Sequence, residues 1–150
     1  GEATDIAKYF STLDNEAFPY ETIPEKRMTG REMRGAQKLF SKDYFDCLNC
    51  HQVGEKKPLG DPSRWAPDLA NSRDRLRPKW IADWLRDPQK IQPGTKMPTF
   101  FDEMIYLPEE MNQYLTLPEG VVPEDGLIEI PSRPVINLVT DHIVYGMHQN

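Results

Sequence analysis

The sequence predicts an all-α fold of short helices joined by long loops, and three observations carry that prediction. Apolar residues recur at helical spacing in four separated stretches, near 3–13, 30–40, 78–87 and 135–145. Fourteen prolines in 150 residues interrupt anything longer. The length, with 38% hydrophobic residues, suits one domain, which at this size buries roughly 68–70% of its unfolded surface.

Each element has its own justification. In 3–13, Ile6, Phe10 and Leu13 fall at helical spacing, with Thr4 or Asp5 available to cap the start. Residues 14–29, with Pro19 and Pro24, read as a linker. From Gly30 to Phe40 a helix is expected with Met33, Ala36, Gln37 and Phe40 roughly along one face. Residues 52–78 read as one long polar loop carrying Pro58, Gly60, Pro62 and Pro67, and such a loop usually signals function or a bound group. A short helix follows from Pro78 to Asp87, with proline near its start and an apolar stripe of Trp80, Ile81, Trp84 and Leu85. The last pattern, Val135, Ile136, Val139, Ile143 and Val144 with Tyr145, fits a terminal helix ended by Gly146.

Between them lies an unusual segment. Residues 98–132 hold eight acidic residues and no Lys or Arg, yet Phe100, Phe101, Tyr106, Tyr114 and Leu117 are interleaved. That mix is too hydrophobic for a disordered acidic tail, so an ordered insertion is expected, with a short helix near 109–116 and a short strand near 127–130. Residues 1–29 are expected as an N-terminal extension and 30–150 as the main domain.

Composition excludes several classes. The net charge of −6 and a pI near 5.1 lack the basic footprint of a general nucleic-acid binder. Mean hydropathy is −0.67, and no apolar run approaches the roughly 20 residues that span a bilayer. No basic stretch followed by an apolar one opens the chain, so a signal peptide is expected to have been removed or to belong to a longer precursor. Two cysteines, Cys47 and Cys50, exclude both a multi-disulfide scaffold and a four-cysteine zinc site.

Those two cysteines stand in Cys47-Leu48-Asn49-Cys50-His51, the C-x-x-C-H pattern of covalent c-type haem attachment. Two thiols three residues apart reach the two vinyl groups of one porphyrin, and the next residue sets an imidazole beneath the iron. A zinc site would need two more ligands from His142, His148 or carboxylates, with none at a recognised spacing. A redox-active pair would normally sit in a βαβ pattern and would not need His51.

A second axial ligand is expected in Pro93-Gly94-Thr95-Lys96-Met97-Pro98, where Gly and Pro hold Met97 on a tight loop instead of a helix face. A thioether there is a soft ligand that favours a raised reduction potential. Bis-histidine ligation through His142 or His148 is the alternative, although a lone histidine in that apolar segment is more often a surface or capping residue.

With these residues in view, the chain resembles the class I mono-haem cytochromes c of bacteria, over about residues 30–98. Ala36-Gln37-Lys38-Leu39-Phe40 is similar to the end of the family's N-terminal helix, with Ala36 and Gly35 where the family has one helical glycine. Ala66-Pro67-Asp68-Leu69 resembles the Gly-Pro-x-Leu turn, which implies that the Pro67 carbonyl accepts the N–H of the proximal His51. Trp84-Leu85-Arg86-Asp87-Pro88 and the methionine loop resemble the family's run from its third helix to the sixth ligand. Some relatives place a tyrosine near Trp84, donating toward the methionine sulfur. The segment Asn71-Ser72-Arg73-Asp74-Arg75 lies where relatives often supply propionate partners, which makes Arg73, Arg75 and Trp80 candidates. The resemblance implies a cytochrome c fold around one covalent haem c held by Cys47 and Cys50, with His51 and Met97 as iron ligands.

The expected function is therefore one-electron transfer without catalysis on a substrate, since both axial positions are filled. An apolar wall of Phe40, Leu69, Trp84 and Leu85 would disfavour the ferric charge. The alternatives are an electron-input or electron-output domain of a larger membrane-associated oxidase or dehydrogenase, and a gas-sensing or catalytic haem with Met97 displaceable. Residues 3–13 resemble the closing helix of a cytochrome domain, which implies a neighbouring haem module; an ordinary extension packed on its own domain is the other reading. Charge divides along the chain: residues 30–97 carry 14 Lys/Arg against 9 Asp/Glu, while 98–132 are wholly acidic. Redox partner proteins are expected to dock by electrostatics. Because thioethers are formed outside the cytoplasm in bacteria, the resemblance implies a periplasmic or outward-facing location, with any membrane association supplied by a partner or by other segments.

Overall fold

Proline, glycine and capping side chains set where each element begins. The structure, a computed structural model, describes residues 1–15, 18 and 23–149. Helix α1, Glu2–Leu13, starts after Gly1 with no side-chain cap, one turn ahead of the Thr4 or Asp5 start expected from sequence. Its stripe of Ile6, Tyr9, Phe10 and Leu13 is more than half exposed. Residues 23–29, Pro24 among them, run without helix or strand into α2, whereas Pro19 lies outside the described residues.

Helix α2, Gly30–Phe40, opens on a capping box. The Glu32 N–H donates to Thr29 Oγ1 at 3.2 Å, and the Thr29 N–H donates to Glu32 Oε2 at 2.7 Å. Those hydrogen bonds from Thr29 hold the Glu32 carboxyl below its ordinary pKa. The helix buries Gly35, Ala36, Leu39 and Phe40. Gln37 is exposed, so the buried face runs through Gly35 and Leu39 and not through Gln37 as its sequence pattern suggested.

The stretch 52–78 is more structured than one long loop. It contains 3₁₀ turns at Pro62–Arg64 and Leu69–Asn71 and the single-turn helix α3, Ser72–Arg75. Aspartates start both 3₁₀ turns: Asp61 accepts from the Ser63 N–H at 2.7 Å and Asp68 from the Ala70 N–H at 2.9 Å. Helix α4, Pro78–Arg86, and the short α5, Pro88–Ile91, each begin on proline. The Asp87 carboxylate between them caps α5 through the Lys90 N–H at 3.0 Å.

The all-α expectation needs one correction. Strands β1, Met104–Pro108, and β2, Leu127–Pro131, form a two-stranded antiparallel sheet, with Ile105 opposite Ile130 and Leu107 opposite Ile128. Those four side chains are buried, while Tyr106 and Glu129 face outward and share a 2.6 Å hydrogen bond. Between the strands, Glu109–Gln113 is a 3₁₀ turn where a helix to 116 was expected. The segment is tied to α2: Arg31 donates to the carbonyls of Gln113 (2.6 Å) and Leu115 (2.8 Å), and Lys38 pairs with Glu110. Tyr44 donates to the same Glu110 carboxylate at 2.8 Å; burial and that neighbour push the phenol up to about 12.

Helix α6, Arg133–Val144, packs against both α2 and α4. It buries Val135, Ile136, Leu138, Val139, Ile143 and Val144 around most of its circumference. Each such side chain contributes about 1.5–3 kcal/mol of transfer free energy. His142 is 7% exposed, so it is a core residue and not a surface or capping one. Burial lowers its pKa and keeps the ring neutral. Gly35 sits where α2 meets its neighbours: a Cβ there would lie 2.6 Å from Tyr114 Cβ and 3.4 Å from Leu138 Cδ2. No helix among the described residues is long and apolar enough to cross a membrane.

Candidate haem-binding site

The C-x-x-C-H segment folds as a tight turn. Asp46 precedes it in left-handed backbone (φ 50°), and Cys47–Asn49 form a 3₁₀ turn closed by the His51 N–H donating to the Cys47 carbonyl at 2.9 Å. A 3₁₀ turn eclipses residues three apart, which sets Cys47 and Cys50 on one side of the turn. Neither sulfur is in a disulfide. Burial pushes the Cys47 thiol up to about 12. That direction is opposite to the depressed pKa of the reactive thiol in redox-active C-x-x-C pairs.

The following loop is stitched onto that turn. Leu59 N–H donates to the Leu48 carbonyl (3.0 Å), Gly60 N–H to Asn49 (2.8 Å), Ala66 N–H to Cys50 (2.8 Å) and Leu69 N–H to Gln52 (2.9 Å). Gly60 is required by close approach, since a Cβ there would lie 2.5 Å from the Asn49 carbonyl oxygen. The Trp65 indole N–H donates to the Gly60 carbonyl at 3.0 Å. This registry brings Pro67 beside His51, with His51 Nδ1 at 2.9 Å from the Pro67 carbonyl oxygen. A carbonyl only accepts, so Nδ1 carries the proton and the Nε2 lone pair is left for a ligand. Burial lowers the His51 pKa against the opposing effect of Pro67, which favours the neutral ring a metal needs.

The methionine loop is built from α4 and α5. Gly94 adopts φ +82°, and its N–H donates to Gln89 Oε1 at 3.1 Å. The Gln89 amide reaches the carbonyls of Thr95 (2.8 Å) and Met97 (3.3 Å), so one side chain on α5 spans the loop. Lys96 Nζ donates to the Ser63 carbonyl at 3.2 Å, joining this loop to the one that carries Pro67. Met97 is half-buried against the core, and the Trp84 indole N–H donates to its Sδ at 2.8 Å. Trp84 thus makes the contact toward the methionine sulfur for which some relatives use tyrosine. Trp80 stacks on Trp84 with centroids 5.1 Å apart and an interplanar angle of 14°.

The sequence-derived candidates therefore fall into linked pairs: His51 with Pro67, Met97 with Trp84, and Trp84 with Trp80. Arg73 and Arg75 lie on α3, Arg73 half-buried and Arg75 exposed, and neither has an ion pair among the described residues. Gln89 was not expected. Nothing in its local pattern marks it, because its role depends on the loop curling back over α5.

The chemistry of these donors fits a haem c. An imidazole with a fixed tautomer, a thioether and two thiols spaced on one turn match the group's two axial positions and two vinyl carbons. No cluster of three or more His, Cys, Asp or Glu able to hold a metal occurs among the described residues, which leaves the zinc reading without support.

Comparison with known proteins points the same way. A family model described as Cytochrome c matches residues 33–115. The chain is 28% identical to cytochrome c oxidase subunit 2 of Bacillus subtilis (strain 168) over 102 residues, covering 63% of this chain and 27% of that protein. It is 37% identical to cytochrome c oxidase subunit 2 of Bacillus sp. (strain PS3) over 71 residues, covering 41% of this chain and 18% of that one. The chain spans about a quarter or less of the length of these relatives.

Proposed function

The chain belongs to the cytochrome c family, and from that premise we propose that it carries single electrons on one haem c attached through Cys47 and Cys50. Haem c supplies the one-electron Fe(III)/Fe(II) couple. His51 offers Nε2 as proximal ligand, and the Pro67 carbonyl fixes its ring plane and tautomer. Met97 offers Sδ as the second axial ligand, while the Trp84 N–H and the Gln89 amide hold that side chain and its loop in place. A haem walled by Leu69, Trp84 and Leu85 with Phe40 would have its extra ferric charge disfavoured and its potential raised. Arg73, Arg75 and Trp80 are assigned to the propionates.

The observation that carries this reading is the Trp84 to Met97 contact, because it orients a thioether whose second lone pair is free for iron. The same proposal takes residues 30–150 as the haem domain with 98–132 inserted, residues 1–29 as an extension, and the location as extracytoplasmic. Intact-mass measurement after expression with a haem c maturation system tests attachment. The expected result is the polypeptide plus one haem, with the gain lost when both Cys47 and Cys50 are replaced by alanine. An unshifted mass, or haem removable by acid and solvent, contradicts the reading.

A second reading is favoured by the relatives. Both are named cytochrome c oxidase subunit 2 and are more than twice as long as this chain, which supports a role as the electron-input domain of a membrane oxidase complex. The exposed α1 stripe of Ile6, Tyr9, Phe10 and Leu13 is compatible with a neighbouring module. Detection of the native polypeptide in membranes at more than twice 17.4 kDa is the expected sign of that arrangement.

A further inference from the structure

At the end of α6, three soft electron-pair donors point at the same place. A Cβ built on Gly146 would lie 2.3 Å from His142 Nδ1, 2.8 Å from Met28 Sδ and 2.9 Å from Met33 Sδ. The three heteroatoms are therefore gathered against the Gly146 Cα, within reach of one another, and any side chain at position 146 would collide with all three. Nδ1 of His142 is fully buried and has no hydrogen-bond partner among the described residues. A buried, unsatisfied nitrogen costs about 1–3 kcal/mol, and neither thioether beside it is hydrogen-bonded to it.

The surroundings hold each donor in place. Gln149 clamps the Met28 backbone from both sides: its Oε1 accepts the Met28 N–H at 2.8 Å and its Nε2 donates to the Met28 carbonyl at 3.2 Å. Met33 lies in the first turn of α2, fixed by the capping box, with its N–H on the Thr29 carbonyl at 2.9 Å. Phe40 meets the His142 ring edge to face at 5.0 Å. The neighbouring carboxylate on α6, Asp141, is half-buried and engaged with Lys26.

We propose that His142, Met28 and Met33 form a binding site for a soft monovalent cation, copper(I) above all. Two thioethers and an imidazole are the donor set that selects copper(I), whereas calcium and magnesium require oxygen and structural zinc prefers thiolate or carboxylate beside histidine. The site uses none of the iron ligands or attachment cysteines assigned to the haem, and stands whether or not the haem ligation proposed above is correct.

The test is a competition for copper(I) between its bicinchoninate complex and the haem-loaded, ferrous protein under argon. One equivalent is expected to pass to the wild-type protein with no change in the haem spectrum, and X-ray absorption of that copper shows one nitrogen and two sulfur scatterers. The Met28→Leu, Met33→Leu double variant, nearly matched in volume, is expected to lose about 100-fold or more in affinity, beyond the roughly 10–100-fold typical of an outer partner. Met33→Leu alone, at a half-buried position, moves the same way and serves if the double variant is unstable. Failure of the wild-type protein to take copper from the chelator overturns the proposal. So does uptake that these substitutions leave unchanged, or that alters the haem spectrum.

Discussion

Trp84→Phe keeps the ring and the stack on Trp80 while removing the one N–H directed at the Met97 sulfur. With Met97 as the proposed iron ligand, that hydrogen bond draws electron density from a sulfur that otherwise supports Fe(III), so the variant is expected to have a lower reduction potential. A hydrogen bond of about 1 kcal/mol corresponds to some tens of millivolts for one electron, measurable by redox titration; an unchanged or higher potential contradicts the assignment. A second residue-scale outcome concerns Glu32, whose pKa is depressed by Thr29. A depressed carboxylate contributes stability above its unfolded value, and that contribution is lost as pH falls through the folded one. Thr29→Ala is therefore expected to cost about 1 kcal/mol near neutral pH and to make the acid limb of stability against pH shallower, as read by denaturant unfolding across pH. His51 and Pro67 were legible in sequence because a short motif fixes each locally. The Trp84 contact was not, because 13 residues of helix and loop must close before indole and sulfur meet.

Among the elements, α2, α4 and α6 were readable because each carries a helical stripe, with a local boundary signal for two of them: a starting proline for α4 and an ending Gly146 for α6. Strand β1 was missed because Met104–Pro108 follows the continuous aromatic run Phe100-Phe101, and its alternation becomes meaningful only opposite β2. His142 was misread because α6 is buried nearly all round, so a polar residue in it has no solvent face to occupy. Gly35 tests the packing of α2 against both the acidic segment and α6. An alanine there improves helix propensity by up to about 1 kcal/mol, yet its Cβ would stand 2.6 Å from that of Tyr114. Gly35→Ala is expected to lose about 1–3 kcal/mol by overpacking, seen as a lower denaturant midpoint with an unchanged slope. A raised midpoint would mean that the three elements are not in close contact.

At the scale of the molecule, the charge is divided but the two parts are also fastened together, through Arg31 on the carbonyls of Gln113 and Leu115 and Lys38 on Glu110. The net charge of −6 by itself predicts that an anionic oxidant reacts faster as salt is raised. The excess of 14 basic over 9 acidic residues in 30–97, the part that carries the proposed haem ligands, predicts the reverse. Oxidation of the ferrous protein by hexacyanoferrate(III) is expected to slow with ionic strength in stopped-flow measurements, and a rate that rises with salt contradicts local control by the basic part. The central claim is the axial pair, His51 and Met97, on one haem c. It is tested most directly by the far-red absorption of the ferric holoprotein beside that of Met97→Ala. The account predicts the weak methionine-to-iron band in the wild-type protein and its loss, with a shift toward high spin, in the variant. A wild-type spectrum without that band, or one that Met97→Ala leaves unchanged, would contradict it.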